Sequence, residues 1–176
     1  MEQANYRPKL SLYHPDASGT GSALQLELVP AGNDHPNKDG YIVCTIAPQR
    51  KSKGSVPRFN WDEKVSVLLT HHDIGKMLEV VDEEERDTDA AFGGWIVHVS
   101  QTAETRITLA RTSSACFPLR LSLRRCVHGH DGDCESLVDF TFTSSEVEAV
   151  FGAIRGSLVY LCFGLPRIIK PEGVGK

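Results

Sequence analysis

The chain has 176 residues, 40% hydrophobic and 24% charged, enough apolar surface for a single folded domain with a core of its own. No run of about 18 apolar residues occurs, which excludes a helical membrane span. Five scattered cysteines (Cys44, Cys116, Cys126, Cys134 and Cys162) do not make a disulfide framework.

The net charge of −4 speaks against a polyanionic partner until its distribution is read. Residues 82–89 (DEEERDTD) hold six acids and one arginine, a local charge of −5, so the remainder carries +1. A block of like charge reads as a solvated loop.

Along the chain, residues 1–10 carry only Arg7 and Lys9 as cations and no apolar core, so they read neither as a secretory signal nor as a transit peptide. Alternation of apolar and polar residues then predicts strands over 9–13, 23–29, 41–47 and 64–69. The clearest is 23–29, where Leu24, Leu26 and Leu28 share one side and Gln25 and Glu27 the other. Turn-rich stretches at 14–22, 30–40 (PAGNDHPNKDG) and 49–57 (QRKSKGSVP) separate them. After Leu69 the period changes. Thr70 and Asp73 form a T-x-x-D cap, and Ile74, Met77, Leu78 and Val81 follow at helical spacing.

Past the acidic loop, four more strands are predicted over 95–100, 106–111, 119–127 and 137–142. A T-x-x-E cap at Thr143 and Glu146 then opens a second helix with Val147, Val150, Phe151, Ile154 and Leu158 on its stripe. Val159, Leu161 and Phe163 widen that stripe to nearly the whole circumference, and Gly152 and Gly156 form a G-x-x-x-G. A helix apolar all round needs cover. The expected cover is another subunit, with Val150, Phe151, Gly152, Ile154, Gly156 and Leu158 as the oligomerisation residues.

The two strand-to-helix transitions, VSVLLTHHDIGKML (65–78) and VDFTFTSSEVEAVF (138–151), align without a gap at an offset of 73 residues. With four strands before each helix, the pattern is a duplicated ββββα unit, an α+β fold of two packed four-stranded antiparallel sheets and two helices. Repeat 1 spans about 6–81 and repeat 2 about 94–165, joined by a loop over 82–93, within one domain of residues 1–176.

Strand parity sorts the cations. If Leu119, Leu121 and Leu123 point inward, Arg120 and Arg124 point outward, and Arg106 joins them from the preceding strand. Lys9 and Tyr13 take outward positions on the first strand and Lys64 on the fourth, while Lys51 and Lys53 stand in a loop beside Arg50 and Arg58. Such a face suits phosphates. Exposed rings are expected only at Tyr13, Tyr41 and His98, which favours holding the phosphate backbone with bases left free.

Rival chemistry is thin. Cys126, His128, His130 and Cys134 (CVHGHDGDC) are metal-ligand types without the paired spacings of zinc modules, and GHDGD reads as a hairpin turn. His71, His72 and Asp73 lie in a first helical turn, where Asp73 is explained as a cap. No nucleophile elbow, phosphate loop, dinucleotide fingerprint or zinc-protease motif occurs, so neither enzyme activity nor a cofactor or metal is expected.

The stretches PRFNWDEKVSVLLTHHDIGKMLEV (57–80), FTFTSSEVEAVFGAIRGSLVYLCFG (140–164) and KDGYIVCTIAP (38–48) resemble the Whirly-type single-stranded nucleic-acid-binding family. Within it the chain is most similar to the kinetoplastid mitochondrial guide-RNA-binding proteins, because RPKLSLYHP (7–15) stands where the plant branch has a lysine- and alanine-rich motif. The resemblance implies two sheets packed across one another and helices that form the centre of a homotetramer or heterotetramer. It also implies outer faces that bind single strands with little sequence preference. For the kinetoplastid branch it implies a mitochondrial setting and a homologous partner subunit, with guide RNA annealed to messenger RNA during editing.

Overall fold

The computed structural model describes residues 7–32, 38–50, 56–82, 93–127 and 134–164. Alternating segments form the strands β1 (Lys9–His14), β2 (Ser22–Val29), β3 (Tyr41–Arg50), β4 (Arg58–Phe59) and β5 (Val65–Leu69), followed by helix α1 (His71–Asp82). The second half supplies β6 (Gly93–Val99), β7 (Ala103–Arg111), β8 (Leu119–Val127), β9 (Cys134–Phe142) and helix α2 (Ser144–Phe163). Among the described residues, no helix is long and apolar enough to cross a membrane.

All pairings are antiparallel. β1, β2 and β3 are consecutive neighbours, and β3 then pairs with β5 along its first half and with β4 at its end. The second sheet is the simple meander β6-β7-β8-β9. Eight strands were expected. The ninth, β4, arises because β3 runs past Ala47 through Pro48 to Arg50, and Asn60 N–H donates to the Pro48 carbonyl at 2.7 Å. A proline reads as a strand end, yet it sits here where its missing donor is not needed.

The inner faces meet in one core, with Leu24, Ile46 and Leu69 from the first sheet against Leu121, Leu123 and Phe140 from the second. Phe151 of α2 meets Phe142 edge-on at 5.5 Å, Phe142 meets Phe140 at 5.1 Å, and the His14 ring stacks on Phe140 at 4.5 Å. Helix α1 leaves the first sheet and covers the second, with Met77 and Val80 beside Ile96, Ile107 and Leu109. The C-terminal end of α2 docks on the β2–β3 connection: Ala31 and Gly40 donate to the Tyr160 and Leu161 carbonyls at 2.9 and 2.8 Å. Carbonyls that helix ends leave orphaned are thereby satisfied. Gly164 closes the helix at φ 77°, and a Cβ there would lie 2.7 Å from the Ala31 oxygen, so both conformation and space demand glycine.

Both caps form as the sequence indicates. Thr70 N–H donates to Asp73 Oδ2 at 2.8 Å, and Thr143 N–H to Glu146 Oε2 at 2.9 Å. Each carboxylate also meets a histidine of the opposite half: His98 Nε2 lies 3.2 Å from Asp73 Oδ2, and His14 Nε2 lies 2.8 Å from Glu146 Oε1. The helix caps are therefore also ties between the repeats.

Burial pushes both carboxyls up. The Thr70 backbone and hydroxyl with His98, and the Thr143 backbone, His14 and the Thr143 hydroxyl, outweigh it and hold them below their usual 3.8 and 4.5. A depressed carboxyl contributes stability that is present above its unfolded pKa and is lost as pH falls through the folded one. Melting temperature should accordingly fall below about pH 4, and this acid loss should flatten in an Asp73→Asn/Glu146→Gln variant. Asp73→Ala and Glu146→Ala should each cost about 1 kcal/mol by chemical denaturation at neutral pH.

Candidate nucleic-acid interface

On β8 the inward set Leu119, Leu121 and Leu123 is buried, so the pleat turns Arg120 and Arg124 outward. Registry then assembles the outer face in rows. Val97, Arg106, Arg124 and Leu137 lie side by side across β6 to β9. The next row is Trp95, Thr108, Ser122 and Asp139, and beyond it come Ala110, Arg120 and Thr141. The three arginines expected from parity share one exposed face.

Arg106 and Arg124 stand directly opposite one another, an arrangement of like charges that is unfavourable unless offset. Glu135 chelates Arg124 through Nε at 2.6 Å and Nη2 at 2.7 Å, and its hydrogen bonds raise the guanidinium further above its usual range. Glu104 lies 3.6 Å from Arg106. Arg120 has no ion-pair partner among the described residues. A shallow depression of about 180 Å³ lies between Glu104, Arg106, Arg124 and Cys126. Arg111, at the end of β7, is occupied elsewhere, donating to the Val81 carbonyl of α1 at 2.9 Å.

The first sheet offers less free charge. Lys9 Nζ lies 2.8 Å from Glu27, and Arg7 meets the same carboxylate at 3.3 Å. These two cations draw the Glu27 carboxyl below its usual range against a smaller opposing effect of burial. Its middle row, Ser11, Gln25, Thr45 and Ser66, is uncharged, with the Thr45 and Ser66 hydroxyls 2.9 Å apart. Tyr13 is exposed, its ring 5.5 Å from Phe59. Lys64 is exposed just before β5. Lys51 and Lys53 lie outside the described residues, as do residues 83–89 of the acidic block.

The expected aromatic set changes. His98 turns to the core side, where Asp73 holds it, and Tyr41 is half-buried. Trp95 is the ring that sequence reading missed. It is 66% exposed on the arginine face, and the Arg106 guanidinium carbon sits 5.7 Å from its ring centroid. The signal was present in β6, where Ile96 and His98 alternate with Trp95, Val97 and Val99. The larger apolar set faces water there, the reverse of the usual assignment.

The expected oligomerisation residues divide between the two sides of α2. Val150, Phe151 and Ile154 are buried in the subunit's own core, and Leu158 packs against it. Gly152 and Gly156 do lie on the exposed side of α2, with open space where a Cβ would stand, in a stripe that also carries Val159 and Phe163. Sequence alone assigned the apolar circumference without knowing which half the sheets would cover.

Among the described residues, no group of three or more metal-ligand types comes together. The His71 and His72 rings lie tilted against each other with centroids 4.5 Å apart, and Asp73 is committed to its cap. His128 and His130 lie outside the described residues, while Cys126 and Cys134 sit on β8 and β9.

No family model matches the chain, and no curated protein sequence matches it. Solved structures do. WHY1 from Arabidopsis thaliana superposes with a TM-score of 0.66 at 17% identity, over 91% of this chain and 88% of that one. The plant transcriptional regulator PBF-2 gives 0.63 at 14% identity, over 90% and 84%. A guide-RNA-binding protein complex bound to its guide RNA gives 0.50 at 16% identity, over 90% and 94%. The two sheets and two helices are thus those of the Whirly-type fold.

Proposed function

We propose that this chain is a non-enzymatic subunit that binds single-stranded RNA along the outer face of its second sheet and promotes RNA–RNA annealing. The observation that carries the reading is the convergence of Arg106, Arg120 and Arg124 on one exposed face. Cations there neutralise phosphates and so lower the repulsion between two strands, which raises their encounter rate without any chemical step. Likeness to a guide-RNA-bound complex supports guide RNA as one strand, and messenger RNA as the other, with mitochondrial RNA editing as the setting, is what the sequence resemblance implies. The exposed small-residue side of α2 supports pairing with a homologous subunit in a tetramer.

A second reading has its own support. Glu27 and Glu135 each occupy arginines or lysines of the outer faces, as a scaffold subunit would if a more basic partner bound the nucleic acid. Retention of the isolated chain on labelled single-stranded RNA and DNA, measured as salt rises, separates the two. Three phosphate contacts give a slope of roughly −2 in log affinity against log salt, or about a 15-fold loss between about 50 and 200 mM. Absence of binding by the chain alone, with binding restored by a basic partner, overturns the first reading in favour of the scaffold. Stronger retention of DNA would redirect it to a single-stranded DNA-binding factor in transcription or genome maintenance, a role that likeness to a transcriptional regulator supports.

A further inference from the structure

An indole two-thirds exposed on a strand is costly in water and is held here in a defined place. Trp95 lies in the row between Arg120 on one side and the Arg106–Arg124 pair on the other. Arg106 approaches the ring at 5.7 Å, a cation–π contact that fixes its orientation. Val97 and Val99 extend the apolar strip along β6, and Val99 is itself exposed. At the opposite edge, β9 presents Asp139 in the same row as Trp95 and Glu135 two rows away. A polyanion is repelled from that edge. Its backbone is drawn over β7 and β8, where the arginines are, and the groups it carries to one side fall on β6.

We infer that Trp95 is a stacking platform for an unpaired base and that it makes this face selective for single strands over duplexes. The inference rests on the reading that the arginine face binds nucleic acid. Every base has a π-face, so stacking is tolerant of sequence. A paired base keeps its faces inside the duplex and has none to offer Trp95. The contact therefore exists with the substrate of annealing and vanishes in the product. A strand that pairs gives up its hold on Trp95 and retains only the phosphate contacts, which favours release of the duplex. Most bases stay free to pair, and one per subunit is pinned.

The test compares wild type, Trp95→Ala and Trp95→Phe on three labelled probes: an oligoadenylate, the same strand annealed to its complement, and an abasic strand of equal length. Wild type should bind the oligoadenylate more tightly than the abasic strand. Trp95→Ala should lose about tenfold on the oligoadenylate and nothing on the other two, with Trp95→Phe close to wild type. Equal binding of the oligoadenylate by wild type and Trp95→Ala overturns the inference, as does an equal loss on the abasic strand. Binding of both strands with no effect of Trp95 would leave the nucleic-acid reading standing. Failure of wild type to bind any probe at low salt would remove both. Melting temperatures of the variants report folding, and Trp95→Phe decides the matter should the alanine variant unfold.

Discussion

Phe140→Ala is expected to destabilise the protein by about 3–5 kcal/mol, the largest effect of any single truncation on the second sheet. Phe140 is fully buried on β9, opposite Leu121, at the junction of three parts of the molecule. One neighbour is Phe142, which passes the contact on to Phe151 of α2. Another is the His14 ring, stacked at 4.5 Å, whose Nε2 holds the Glu146 cap. Removing the ring leaves a cavity and also frees the histidine that ties β1 to α2, so losses in packing and in capping add. Urea denaturation should show the midpoint shifted with an unchanged slope, since the surface exposed on unfolding is the same. Phe140→Leu should cost much less, about 1.5 kcal/mol, because most of the volume is kept. Val56→Ala, at a residue 68% exposed and away from α2, supplies the comparison and should stay within about 0.5 kcal/mol. Equal losses at the two positions would mean that the described core is wrong.

The elements that can be read from sequence are those where two signals agree. In the second half, alternation bounds β8 at Leu119–Val127 and the T-x-x-E cap with the apolar stripe behind it opens α2 at Ser144, and the structure places both there. The offset of 73 residues between the helix caps has a consequence that sequence could not show. Each cap carboxylate is met by a histidine from the other repeat, a contact spanning 132 positions in the case of His14 and Glu146. Such pairings depend on how two sheets meet, which no local period encodes. The same limit explains α2. Its sequence is apolar on most sides, and only the placement of the sheets decides that Phe151 is core while Phe163 faces water. Charge was legible as parity but not as availability. Arg120 and Arg124 share a strand and a face, yet Glu135 reaches only the latter, because β9 brings it one row beyond Leu137, the residue opposite Arg124.

That difference in availability sets the second large expectation. Arg106→Glu/Arg120→Glu should reduce affinity for single-stranded RNA by roughly 100-fold or more at about 100 mM salt, and should bring the salt slope close to zero. Both side chains are exposed, so the melting temperature should move little. Two phosphate contacts are lost and two repulsive charges take their place on a face where the remaining arginine is already paired. Arg124→Glu alone should do less, since Glu135 has neutralised much of its charge. The sign reverses at the carboxylate. Glu135→Gln releases Arg124 and should tighten binding about two- to fivefold, with a steeper salt slope. Lys9→Glu tests the opposite sheet, where Glu27 already holds the ammonium at 2.8 Å, and should change little. Filter binding across a salt series measures all four. If Lys9→Glu weakens RNA binding as much as the Arg106/Arg120 reversal does, the strand lies on the first sheet, and the face assigned to it here is wrong.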